Sequence, residues 1–335
     1  MRYILLFLSV FFLILSKRNT KYKKVYIFFA ASTLIVFASL RGNILNGKYS
    51  GNDYLSYNKW FNNIYNIKLS LMNDIGFNIL MLVIKKITNS YPIFIIITSV
   101  LFVYSIFKFS IDNSKDYLIS IFIFIAFGIF ELGISAIRQW IAGSIFLLSF
   151  KYVKEKNFGK YLLGILIASL FHNSAIVLLI VYPFVNINIK EKYKILIAVL
   201  LGTGLFFLIK TNIIFVYIYK YFPSYEYKYL NIGSELNSNY TVFIISAFCL
   251  LISMLYKKNF YSKEPEYSYQ ISFLILLCLF AFLATLNPMF SRMLEYFMPA
   301  IPLIIPSLID LFNDRKQKLL ALTICTIFFS IIYIM

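Results

Sequence analysis

Apolar positions in this chain run on without a break instead of alternating with polar ones. Tyr117–Leu132 and Ser268–Leu286 hold one charged residue between them, Glu131, and short charged clusters bound them. Runs of this length match helices crossing a hydrocarbon layer about 30 Å thick. In such a layer every backbone N–H and C=O must be bonded within the segment, which leaves the helix as the default element. The pattern predicts an all-α, polytopic integral membrane protein with a single transmembrane domain over 1–335.

Basic clusters at Lys17–Lys24, Lys108–Lys115, Lys151–Lys160, Lys190–Lys194, Lys257–Lys263 and Arg315–Lys318 separate the runs. Short cytoplasmic loops hold such clusters, so all six are placed inside. Spans then fall at roughly 2–16, 25–40, 91–108, 117–132, 138–151, 193–209, 240–256, 268–286, 293–311 and 318–335. The first has no small-residue cleavage site after it and is expected to be a retained span with its amino terminus outside. Between Lys160 and Asn186 only 27 residues are available to leave the inside and return. A tight hairpin turning at Phe171–Ser174 satisfies the parity, with arms of roughly 20 Å at 1.5 Å per residue. Its rival is one long tilted helix. With the hairpin there are about twelve spans, some short or re-entrant, and two longer outer loops at about 41–90 and 210–239. Within the first loop, Asp74–Thr88 is apolar over much of its circumference yet carries Lys85 and Lys86, as an interfacial or re-entrant helix would, with a thirteenth span as the alternative.

Composition narrows the function. Hydrophobic residues make up 61% of the chain and charged ones 14%, a balance foreign to soluble domains. The net charge of +18 sits in separate clusters with no continuous patch, which argues against nucleic acid and for topology. Cys249, Cys278 and Cys325 lie singly inside apolar runs, and His172 is the lone histidine. No metal site and no cofactor are expected.

With 26 lysines and only 6 arginines, the arginine positions become informative. Arg41, Arg138 and Arg292 each fall at the outer end of an expected span. A guanidinium offers a planar fork of donors that binds phosphate oxygens in pairs and stays charged when partly buried. The plain alternative is that each pairs with a neighbour such as Glu131 or Glu295, or reaches to headgroups. The first outer loop holds Gly51, Asn52 and Asp53, then Tyr54, Tyr57 and Trp60, whose aromatic faces can stack on sugar rings. Tyr217, Tyr219, Tyr221, Tyr225, Tyr227 and Tyr229 give the second loop an alternating rim. His172, with an ordinary imidazole pKa of about 6.5, is a candidate general base, and Asp53 competes with it.

These segments resemble the EpsG family of bacterial exopolysaccharide proteins. The resemblance rests on Gly51-Asn52-Asp53-Tyr54 with Tyr57, on Asp74, Gly76, Phe77 and Asn78, and on Ile137-Arg138-Gln139. Ala168–Ala175, carrying Phe171-His172, and Ser291-Arg292 with Tyr296-Phe297 complete it. Asn52 departs from the threonine usual there. The resemblance implies a metal-independent Wzy-type glycosyltransferase in the cytoplasmic membrane of a bacterium. It would join undecaprenyl-diphosphate-linked repeat units at the outer face into capsule, exopolysaccharide or O-antigen. Arg41, Arg138 and Arg292 would bind diphosphate, Tyr54, Tyr57, Trp60 and Gln139 would bind sugar, and Arg138 with His172 or Asp53 would carry the chemistry. The implied partners are the lipid-linked oligosaccharide, membrane lipids, a chain-length regulator and a flippase. A flippase for the same lipid, a membrane O-acyltransferase and an inert scaffold are the rival readings.

Overall fold

The structure, a computed structural model, describes residues 2–40, 53–66, 74–211, 236–256 and 267–334, and among these the regular elements are helical. Arg41 and the tyrosines of 217–229 lie outside the described residues. Two compact units form, Met1–Ile176 with Leu322–Met335 and Val177–Ala321.

The first unit contains α1 (Arg2–Arg18), α2 (Lys23–Ser39), α3 (Tyr54–Asn62), α4 (Ile75–Thr88), α5 (Tyr91–Asn113), α6 (Tyr117–Ala126), α7 (Ile129–Ser135), α8 (Ile137–Lys154) and α9 (Phe158–Phe171). Local signals set several of the boundaries. The Asp116 carboxylate accepts from the N–H groups of Leu118 and Ile119 at 3.0 and 3.3 Å and so starts α6, and Asn157 starts α9 by accepting from Lys160 N–H. Gly128 takes φ +77°, a left-handed conformation that breaks the expected span at 117–132 into α6 and α7, bent by 57°.

Helices α8 and α9 form a tight antiparallel pair. Gly164 of α9 lies so close to Ser149 of α8 that a side chain at 164 would collide with its hydroxyl, the small-residue contact that lets helices approach in lipid. Helix α5 runs alongside α8, with Phe94 and Ile95 clustered near Ile137 and Ile141 at one end and Phe109 against Phe150 towards the other. Lys154 donates to the Asp112 carbonyl, while Lys17 pairs with Asp116 and Ser16 meets the Tyr117 hydroxyl at 2.9 Å. Three lysine-bearing connections, between α1 and α2, α5 and α6, and α8 and α9, therefore gather at one end of this unit. The starts of α5 and α8 and the end of α9 lie at the other.

The described part of the expected first outer loop is packed structure. Helices α3 and α4 join α5 and α8 in one aromatic cluster, where Phe77 touches Tyr57, Trp60 and Phe94 with ring centroids 5.5–5.7 Å apart. One face of α4 buries Phe77, Met81 and Ile84, and the opposite stripe of Ile79, Val83 and Ile87 is exposed. Lys85, awkward on so apolar a helix, donates to the Phe61 and Asn62 carbonyls at the end of α3 at 3.0 and 2.5 Å, where a cation suits the helix dipole.

The second unit holds α10 (Val181–Asn186), α11 (Glu191–Lys210), α12 (Leu236–Leu255), α13 (Tyr267–Leu286), α14 (Ser291–Phe297) and α15 (Ala300–Asp310); α16 (Arg315–Ile334) runs from this unit into the first. Polar side chains join its helices. The Lys194 ammonium, 4% exposed, donates to the Val185 carbonyl and the Ser272 hydroxyl at 2.9 Å each. Asn239 donates to the Ala284 carbonyl at 3.0 Å and to Ser291 at 2.8 Å, and Ser307 donates to Gln270 at 2.9 Å.

Among the described residues three helices are long and apolar enough to cross a membrane, and up to five if each bent pair counts as one span. That supports a helical membrane protein but falls short of the expected count of about twelve. The shortfall has a structural cause. Several expected spans fold as arms of 17 residues or fewer, such as α1, α2 and α9, and the one at 293–311 is bent by 49° between Pro288–Phe297 and Ala300–Asp310.

Candidate functional site

Folding back at Glu155–Asn157, the α8–α9 pair returns the chain to the level where α8 began. Arg138, one residue into α8, and His172, one residue past α9, thus meet at the same end. The helix breaks at His172, whose φ of −156° and ψ of 116° are extended, and a 3-10 helix resumes at Asn173–Ile180. The break at Phe171–Ser174 falls where parity required a turn. A break of this kind leaves the next N–H groups without intrahelical acceptors.

Asp74 fills that gap. It precedes α4 in a left-handed conformation, φ 52° and ψ 61°, which short polar side chains tolerate better than most. Its Oδ1 accepts the Asn173 N–H at 3.2 Å. Its Oδ2 lies 2.6 Å from Arg138 Nη1 and 3.5 Å from His172 Nδ1. Burial alone would raise the Asp74 carboxyl. The hydrogen bond and charge of His172, then the charge of Arg138 and the Asn173 N–H, outweigh it and hold the group below its ordinary value.

Gly76 allows this meeting. A Cβ at that position would stand 3.0 Å from Leu170 Cβ and 3.1 Å from the Leu170 carbonyl carbon and oxygen. Only the absence of a side chain lets the start of α4 cross the end of α9 so closely, two residues from Asp74 on one strand of the crossing and two from His172 on the other.

Aromatic rings complete the arginine's surroundings. Spacing of three along α3 puts Tyr54, Tyr57 and Trp60 near one face of the helix. The Arg138 guanidinium lies 4.8 Å from the Trp60 ring centroid and 5.8 Å from that of Tyr57, and its Nε reaches the Tyr57 hydroxyl at 3.5 Å. Tyr57 and Trp60 are stacked, at 6.3 Å and 19°. The arginine is thus held by charge on one side and ring faces on another, yet its side chain keeps 27% of its exposure and that of His172 keeps 22%, against 7% for Asp74. Such a site can neutralise an anion at the guanidinium and accept a proton at the imidazole. Among the described residues no three of His, Cys, Asp and Glu come together as a metal would need.

The other expected site residues take separate places. Asp53 occupies the position ahead of α3, and its carboxylate makes no capping bond there. Tyr54 packs edge-on against Tyr91 at 5.2 Å and accepts its hydroxyl through the backbone. Gln139 is buried within the first unit. In the second unit, Arg292 lies 3.5 Å from Glu295, one turn along α14. Asp74 is a candidate site residue to which the sequence reading, quoting it only within a family-like segment, gave no role. A signal was present, since no lysine or arginine stands within five residues of it, so an acid opening an apolar helix had to find its partner elsewhere.

The family model described as EpsG family matches residues 24–335, nearly the whole chain. No curated protein and no solved structure matches.

Proposed function

The chain belongs to the EpsG family, a family of Wzy-like polymerases, and we propose on that premise that it joins lipid-linked oligosaccharide repeat units at the outer face of a bacterial cytoplasmic membrane. The donor is a growing glycan on undecaprenyl diphosphate, and the acceptor is the terminal sugar hydroxyl of a second lipid-linked unit. The product is capsule, exopolysaccharide or O-antigen.

The observation that carries this reading is the convergence of Arg138, His172 and Asp74 beside the Tyr57–Trp60 pair. When the acceptor oxygen attacks the anomeric carbon, the bond from that carbon to the diphosphate oxygen breaks and its electron pair leaves with the lipid diphosphate. Negative charge grows on that oxygen, and fixed positive charge already aimed at it is the largest lever a site of this kind has. Arg138 supplies it. The hydroxyl proton passes to His172, which the Asp74 carboxylate orients. The Trp60 ring, beside the guanidinium, offers a stacking face for the sugar adjoining the diphosphate.

Charge distribution supports the outer placement. The lysine-bearing connections lie at the end of the first unit away from Arg138 and His172, and basic loops stay on the cytoplasmic side. The test is to delete the gene and size both the polysaccharide and the lipid-linked pool. A polymerase deletion leaves single repeat units on the lipid carrier, exposed on the outer leaflet, and wild-type polymer in the deletion strain would reject the reading. Single units trapped on the inner leaflet would favour a flippase instead.

A further inference from the structure

One carboxylate oxygen serves two groups in the site just described, and it serves them unequally. Asp74 Oδ2 is 2.6 Å from Arg138 Nη1, a tight charged contact, but 3.5 Å from His172 Nδ1, at the limit of a hydrogen bond. Its other oxygen is tied to the Asn173 N–H. The carboxylate is therefore pivoted on the backbone next to the histidine and divided between two partners, with the shorter contact to the arginine.

We infer that Asp74 couples donor binding to base strength: the donor's diphosphate draws Arg138 away from Asp74, and the released carboxylate closes on His172. Resting on the polymerase reading, this supplies an order to it. A diphosphate carries more charge than a carboxylate and offers paired oxygens to the guanidinium fork. The arginine is held by ring faces of Trp60 and Tyr57 and retains partial exposure, so it can change partners without leaving its place. His172 faces Asp74, the residue before α4, and Asp74 in turn holds Arg138 of α8, with Tyr57 of α3 behind the arginine. Before the donor arrives, Arg138 offsets part of the Asp74 charge that would otherwise act on the imidazole. Once the arginine turns to phosphate, Nδ1–H donates fully to Asp74 and the second ring nitrogen takes the acceptor's hydroxyl proton. Asp74 is a positioning residue in this scheme, and base catalysis waits for a loaded donor, which keeps the acceptor hydroxyl from being activated in an empty site.

His172 is the only histidine in the chain, so the ring signals of histidine-labelled protein in lipid nanodiscs report it alone. The experiment follows its NMR titration with and without saturating inorganic pyrophosphate, whose binding is read separately by 31P signals. In wild-type protein, pyrophosphate should raise the titration midpoint by at least half a pH unit. Arg138→Gln should raise it with no ligand present, and Asp74→Asn should abolish the response. An unmoved wild-type midpoint overturns the coupling, and so does an equal rise in Asp74→Asn, which would mean that the anion acts on the ring directly. Should Asp74→Asn fail to fold, the Arg138→Gln midpoint decides alone. A negative result here together with lost polymer in Arg138→Lys would remove the coupling and leave the polymerase reading intact.

Discussion

Arg138 and Asp74 stand 64 residues apart in sequence and 2.6 Å apart in the structure. The contact joins the start of one helix to the residue before another, and its consequences can be measured.

Replacing Arg138 by Lys keeps the charge and removes the fork. An ammonium can hold Asp74 or a phosphate oxygen, but not one group on each edge. Elongation should fall by about 10²–10³-fold, the usual cost of losing a preorganised donor to a developing oxyanion. Protein in the membrane fraction should stay at the wild-type level. Polymer of normal length would remove Arg138 from the mechanism.

Gly76→Ala should damage the site without touching its chemistry. The added methyl meets Leu170 backbone at 3.1 Å, and backbone cannot swing aside as a side-chain tip can. The crossing should open by a few tenths of an ångström and carry Asp74 off Asn173, costing roughly 1–3 kcal/mol of stability and most of the polymer. Gly204→Ala is the control, because a Cβ there meets nothing within 4 Å. Equal melting temperatures for both variants in detergent would contradict the packing argument.

The two aromatic neighbours of Arg138 should separate. Tyr57→Phe removes a contact of 3.5 Å, too long to be worth much, and should change the elongation rate less than about twofold. Trp60→Ala removes a ring face 4.8 Å from the guanidinium and should cost about 1–2 kcal/mol, or roughly five- to thirtyfold in rate. A reversed order would mean that the hydroxyl, and not the ring, positions the arginine.

Acid should reveal Asp74 through stability. Its carboxyl is held below the ordinary value of 3.8 in the folded protein, so the unfolded chain binds the proton first. The stabilisation is fully present well above pH 3.8 and is lost as pH falls through the lower folded value. Melting curves of wild type and Asp74→Asn should stand apart at pH 5 and converge as the pH falls below 4. Curves that converge between pH 6 and 7 would point to a different group.

Much of the architecture was readable because lysine clusters and apolar runs are local. The expected spans at 2–16, 25–40 and 91–108 are the helices Arg2–Arg18, Lys23–Ser39 and Tyr91–Asn113. Breaks inside spans were harder to see. Gly128 sits in an apolar run whose hydropathy gives no hint of the 57° bend, because the break comes from backbone conformation and not from polarity. Arg138 stood out by scarcity and His172 by being alone. Asp74 did not, because its partners lie 64 and 98 residues away and only the Gly76–Leu170 crossing brings them near. Asp53 was legible for the opposite reason, because the glycine-bearing turn that marks it is local in sequence.

The lysine-rich end of the first unit also has an electrical meaning. Across a membrane energised negative inside, moving one elementary charge through 100 mV costs about 2.3 kcal/mol. On the proposed topology, with that end cytoplasmic, inverting this unit would drag its surplus lysines against that voltage, although Asp116 and Asp112 offset Lys17 and Lys108. On that topology the resting potential of a living cell acts as a latch on insertion, holding one orientation long after synthesis has ended.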